Sequence, residues 1–267
     1  MLSAEQRKEF DERGILQLPG AVDARVAHGL REELLALVAA RRLVPKSPAP
    51  GFAVTPSRTA AVANAHGFEE VWGSGVLSAI DDVLGAGTWH VPKHAGQLLA
   101  MTWPSRAVTW ELPHKMWHLD YRAPGALQGT PGVQLFLCVD RVEPRAGATL
   151  VCAGTPRWVD AIRRREAAEW LGRSADVRQA LRLELPWFGD LCSVRPGEDR
   201  IERFVTRASD FAGGSLQVVE LTGEPGDVWL MHPWMMHGLS SNCGARPRLV
   251  LTERIRTTRA LELEFPR

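Results

Sequence analysis

The sequence predicts a mainly-β fold, an antiparallel sandwich or barrel with flanking helices. Three observations carry this. Short apolar runs bounded by Gly, Pro and Asp clusters fill the second half of the chain. Helices do not alternate with them, which argues against a parallel βαβ sheet. Finally, 267 residues with 45% hydrophobic content can bury one large β-rich core.

In chain order, "SAEQRKEF" offers Ser3 as N-cap with Gln6 at the third helical position, a capping-box pattern. "ERGILQLPG" reads as a short strand closed by Pro19-Gly20. From Asp23, "DARVAHGLREELLALVAARR" places Val26, Leu30, Leu34 and Leu37 on one helical face, which predicts packing against a sheet. The Pro-, Ala-, Gly- and Ser-rich stretch 44–75 reads as irregular backbone, a lid. A helix is expected around "GVLSAIDDVLG". The strands expected next are "GQLLAMTW", "GVQLFLCVD", "ATLVCAG", "SLQVVEL", "DVWLMHP" and "RLVLTERI". A charged helical stretch at about 157–210 interrupts them. The organisation expected is a single domain over 1–267, with N-terminal helices at 1–42 and strands at about 95–255.

The charge balance excludes some partners. With 32 Lys+Arg against 31 Asp+Glu and no like-charged run, neither nucleic acid nor a membrane surface has an electrostatic landing strip. The "RRR" at 163–165 reads as solvated helix surface. No apolar stretch approaches the roughly 20 residues of a membrane span. Four widely spaced cysteines and an opening "MLSAEQRKEFDERG" without an apolar leader suggest free thiols in a cytoplasmic protein.

The stretch "WHLDYRAPG" sets an imidazole and a carboxylate two residues apart among aromatic neighbours. On a strand His118 and Asp120 share a face and could ligate one ion, or they could be an ordinary buried ion pair. A third ligand is available in "GDVWLMHPWMMHG", from His237 or from His232, for which a hydrogen-bonded core histidine is the plainer account. Two imidazoles and one carboxylate leave open positions on iron(II), as non-haem oxygenases require.

These segments resemble the phytanoyl-CoA dioxygenase-like family of iron(II)- and 2-oxoglutarate-dependent oxygenases. The opening "FDERGILQLPG" is similar to the family's N-terminal entry, "WHLD" to its His-x-Asp motif, and "HGLSSNCGARPRLVLTERI" to its distal histidine, turn and returning strand. The resemblance implies a double-stranded β-helix, or jelly-roll, core. It implies that His118, Asp120 and His237 hold Fe(II), that Arg248 grips the far carboxylate of 2-oxoglutarate, and that O2 takes the remaining position. A guanidinium fork suits that carboxylate. Arg246 is the rival, two residues away on the same strand face. The chain departs from the family where Pro-Gly-Ser-His is usual: here it reads Ala153-Gly154-Thr155-Pro156, which bears on substrate. Asp120 is retained, whereas halogenating relatives replace it.

Gln97, Phe136 and Asn242 are further candidates for the 2-oxoglutarate pocket, each equally explicable by packing or turn chemistry. Trp117, Tyr121, His114 and Trp234 are candidates for the substrate pocket, with loop or core roles as the plainer account of His114 and Trp234. The function expected is hydroxylation of a small molecule in secondary metabolism or amino-acid tailoring, by a monomer or homodimer. The alternatives are desaturation, epoxidation or ring formation on the same iron, and a non-catalytic metal- or ligand-binding jelly roll.

Overall fold

A computed structural model describes residues 1–40, 53–54, 68–92, 98–104, 109–123, 127–167, 170, 172–211 and 214–264. The first helix, α1 (Ala4–Arg13), carries the capping box: Ser3 accepts from the Gln6 backbone N–H, and the Gln6 side chain accepts from that of Ser3. Strand β1 (Ile15–Leu18) follows, then α2 (Ala24–Ala40). The buried stripe of α2 is Ala27, Leu30, Leu34 and Val38, with Val26 half-buried beside it.

Most of the stretch read as a lid lies outside the described residues. Its described parts are a two-residue strand, β2 (Ala53–Val54), the short helix α3 (Phe68–Val71) and the start of α4 (Ser74–Leu84). The expected strands appear as β3 (Leu98–Thr102), β4 (Gly132–Cys138) and β5 (Thr149–Ala153), then β7 (Gly214–Glu220), β8 (Val228–Met231) and β10 (Arg248–Arg256). Two short strands join them, β6 (Ser209–Phe211) and β9 (His237–Leu239). The helical interruption comprises α5 (Thr155–Arg163), α6 (Ser174–Glu184) and α7 (Pro186–Leu191), then a π-helical turn at Glu202–Thr206. Helix α8 (Thr258–Glu264) follows the last strand.

The strands form two antiparallel sheets, one in the order β1-β8-β4-β10-β3-β2 and one in the order β6-β7-β5-β9. Period-2 alternation sorts their side chains into three layers. Leu135, Leu137, Leu249 and Leu251 face outward from the large sheet and pack with α2 and α4 residues such as Leu30, Leu34 and Ile80. On the small sheet, Leu150, Cys152, Leu216 and Val218 face outward against the helical interruption through Val159, Leu181 and Phe188. Between the sheets lie Phe136, Trp229, Met231 and Val250 from one side and Val151, Ala153 and Leu221 from the other. This double-stranded jelly roll explains the missing βαβ pattern, since both faces of each sheet are covered without crossover helices.

Candidate metal site

His118 and Asp120 alternate with Trp117 and Leu119 along an extended segment. The apolar pair is buried in the layer under the helical interruption, so the polar pair faces the opposite way. His118 and His237 are joined by an antiparallel bridge, with N–H···O bonds of 2.9 and 3.0 Å exchanged between their backbones. Their rings lie 4.3 Å apart, centroid to centroid. Asp120 completes the cluster: Oδ1 is 3.7 Å from His118 Nε2 and Oδ2 is 3.5 Å from His237 Nε2. One donor atom from each of the three residues lies within 4.8 Å of the others, a spacing that could hold a metal ion.

The backbone selects which ring nitrogen is presented. His118 Nδ1 is 2.8 Å from the Met116 carbonyl, and His237 Nδ1 is 3.0 Å from that of Met235. A carbonyl only accepts, so each Nδ1 carries the hydrogen and each neutral ring keeps its lone pair on Nε2. Met116 adopts a left-handed φ of 71°, a conformation costly for a residue with a side chain and stored where it orients His118.

Charge reinforces the geometry. Burial by itself would raise the Asp120 pKa, but a hydrogen bond from His237, made when its Nε2 carries a hydrogen in place of a metal, and the Arg254 guanidinium, 2.8 Å from Oδ2, hold the carboxyl far below the usual carboxylate range. Burial, then the neighbouring His237, push the His118 pKa down. Both effects favour the unprotonated donors that a metal requires.

Arg248 is the second feature. It opens β10, is only 3% exposed, and donates from Nη1 to Thr149 Oγ1 at 3.2 Å. Among the described residues its Nε and Nη2 have no partner, nor does the nearby Thr102 hydroxyl, which β10 pairing sets opposite Arg248. Burial lowers the Arg248 pKa to about 10, so the group remains a cation at neutral pH. Its rival Arg246 is exposed in the preceding turn. Phe136 is buried between the sheets on the same inward face.

Other candidates stand elsewhere. Asn242 spends its amide on the turn: Nδ2 donates to the carbonyls of Thr102 and Arg246, and Oδ1 accepts from the Gly244 N–H. Trp117 and Trp234 are buried in the layer under the helices, where their indole N–H groups donate to the carbonyls of Pro113 and Arg122. Tyr121 is buried beneath the Arg256 guanidinium, 4.6 Å from its ring. His114 is half-buried on the irregular approach to His118. Gln97 lies outside the described residues. His232 stands apart from the triad, its Nδ1 accepting from the Trp234 N–H, and burial followed by Arg163 pulls its pKa down to about 3. Arg163, expected at a solvated surface, is instead buried, ion-paired with Asp160 and stacked on Trp234. Arg164 and Arg165 beside it are exposed as expected.

Three residues escaped the sequence reading: Arg254, Gln134 as a partner of Asp120, and Thr149. The signal for Arg254 was present in "RLVLTERIR", where an even spacing puts it on the face of Arg248.

Fold and donor set together define a class: an antiparallel jelly roll with two imidazoles and a carboxylate converging on one point, and a buried arginine with donors left for an anion. The chain matches the family model of phytanoyl-CoA dioxygenase (PhyH) over residues 10–250 and belongs to that family. It is accordingly a non-haem Fe(II)- and 2-oxoglutarate-dependent oxidoreductase. No curated protein matches it in sequence.

Several solved structures share the fold. HygX from Streptomyces hygroscopicus, with nickel and 2-oxoglutarate bound, is 16% identical with a TM-score of 0.52, over 96% of this chain and 88% of that one. The carbocyclase SnoK from nogalamycin biosynthesis is 14% identical with a TM-score of 0.58, over 96% and 84%. The epimerase SnoN, in complex with Fe3+, alpha ketoglutarate and nogalamycin RO, is 15% identical with a TM-score of 0.52, over 95% and 82%.

Proposed function

We propose that the chain hydroxylates an unactivated C–H bond of a small organic molecule, with His118, Asp120 and His237 holding Fe(II) and Arg248 anchoring 2-oxoglutarate. The observation that carries this is the pairing of a convergent two-imidazole, one-carboxylate set with a buried guanidinium that has two nitrogens unpartnered among the described residues. The donor set suits iron, because two nitrogens and one oxygen leave positions open for a chelating cosubstrate and oxygen. The orphaned Nε and Nη2 of Arg248 suit the remote carboxylate, which would complete their hydrogen bonding.

When bound, iron with 2-oxoglutarate supplies an oxidant strong enough to break an aliphatic C–H bond, with succinate and carbon dioxide as co-products. The chain supplies position and dryness. The Met116 and Met235 carbonyls fix the imidazoles, Thr149 fixes one arm of Arg248, and the apolar layer between the sheets excludes water. Met116 and Leu239, each two residues from a histidine of the triad, are 76% and 48% exposed and suit an apolar or mixed substrate rather than a polyanion.

The test is an anaerobic titration of the metal-free protein with Fe(II) and 2-oxoglutarate, read by the visible charge-transfer band of the chelate. The band should form in the native chain and vanish in His237→Ala and Asp120→Ala; a native chain without it would sink the reading. A second outcome on the same iron is ring formation or desaturation, suggested by the shared fold of a carbocyclase and an epimerase. Product mass separates the two, since hydroxylation adds an oxygen atom and desaturation removes two hydrogens.

A further inference from the structure

The two oxygens of Asp120 are not equivalent. Oδ2 stands 3.5 Å from His237 Nε2, but it also accepts from Arg254 Nη2 at 2.8 Å and from Gln134 Nε2 at 3.1 Å. Oδ1 faces the His118 ring, 3.7 Å from its Nε2. Both donors stand on rigid strands and directly opposite one another, since β10 pairs with β4 in a register that sets Arg254 against Gln134. Gln134 is only 3% exposed, and its Nε2 is also 3.3 Å from Thr252 Oγ1 on the same inward face. The clasp is therefore built into the sheet and does not depend on a loop.

A carboxylate can offer a metal one oxygen or two. Two would consume a coordination position that the cosubstrate or oxygen needs, whereas an oxygen held by a guanidinium and an amide gains little by leaving them. We propose that Arg254 and Gln134 are positioning residues that reserve Asp120 Oδ2 and so restrict Asp120 to single-oxygen coordination through Oδ1. The proposal rests on the reading of the triad as a metal site. It divides the labour of β10: Arg248 serves the cosubstrate, and Arg254, six residues along the same face, serves the metal ligand.

The closing experiment counts open positions directly. Metal-free native protein, Arg254→Met, Arg254→Lys and Gln134→Leu are loaded with Mn(II), and water-proton relaxation is measured per bound ion. If Oδ2 swings onto the metal and displaces one water, relaxation enhancement in Arg254→Met falls by about a third. Gln134→Leu should fall in the same direction and carries the test if Arg254→Met does not fold. Arg254→Lys, which keeps a cationic donor, should recover most of the native value. In a second arm, Arg254→Met should retain the anaerobic Fe(II)–2-oxoglutarate band, while its affinity for nitric oxide, a probe of the oxygen position, drops roughly tenfold. Native relaxation and native nitric oxide affinity in Arg254→Met and Gln134→Leu would overturn the proposal. So would an equal loss in Arg254→Lys, which would assign the effect to packing. Absence of the band in the native protein would instead count against the proposed function, and the Mn(II) arm would still report on the clasp.

Discussion

A guanidinium that is 3% exposed and donates to one hydroxyl among the described residues carries a large desolvation cost, and Arg248 is in that position. A bound carboxylate would offset the cost by filling the two donors left open. Replacing Arg248 with Met should therefore raise KM for 2-oxoglutarate by roughly 10- to 100-fold, the worth of a charge-assisted pair, with a smaller change in kcat. Arg248→Lys should recover only part of that loss, because an ammonium lacks the planar fork. Steady-state kinetics with 2-oxoglutarate as the varied substrate measures both. His118 and His237 illustrate the same residue-scale logic in reverse: their Nδ1 atoms are satisfied by carbonyls, so Nε2 is the nitrogen that each ring turns to the site.

At the scale of elements, the turn between β9 and β10 decides where Arg248 points. Asn242 is fully buried and holds the turn to β3 through the Thr102 carbonyl and to itself through Arg246 and Gly244. Asn242→Ala would take this donor from the buried Thr102 carbonyl and undo the turn's own bonds, and should cost about 1–3 kcal/mol, measured by chemical denaturation. A rise in KM for 2-oxoglutarate should accompany it, since the turn sets the register from which Arg248 enters the sheet. The β5–α5 corner shows another element-scale constraint. Gly154 has φ 90°, and a Cβ there would stand 2.3 Å from the Ser215 carbonyl oxygen, so only glycine fits beside β7.

For the whole molecule, stability responds to pH through buried groups. His232 is the clearest contributor, with its pKa lowered to about 3 against an ordinary 6.5. The unfolded chain takes up a proton below pH 6.5 and the folded one does not, so the stability present above that value is lost as pH falls towards 3. The slope from this group approaches about 1.4 kcal/mol per pH unit at most. Thermal unfolding followed from pH 7 to pH 4 should show a falling midpoint, and His232→Gln should flatten it. An unchanged slope would mean that His232 is protonated within the fold.

Element types were legible in the sequence because they rest on local periodicity. The capping box at Ser3, the apolar stripe of α2 and the alternation in "VQLFLCVD" each depend on neighbours a few residues away, and so does the shared face of His118 and Asp120. The motif order that resembled the PhyH family was legible for the same reason, and the family match followed. Choosing between His232 and His237 was not a local matter. Between Met231 and His237 the chain leaves the large sheet and enters the small one, so residue parity cannot be carried across. Only the folded chain decides that His237 bridges to His118, that Arg248 is buried while Arg246 is exposed, and that Arg163 leaves the solvent for Trp234. The Arg254–Gln134 clasp on Asp120 belongs with them, since it joins strands more than a hundred residues apart in sequence. Alternation fixes which way a side chain faces, but strand pairing between distant segments fixes what it meets.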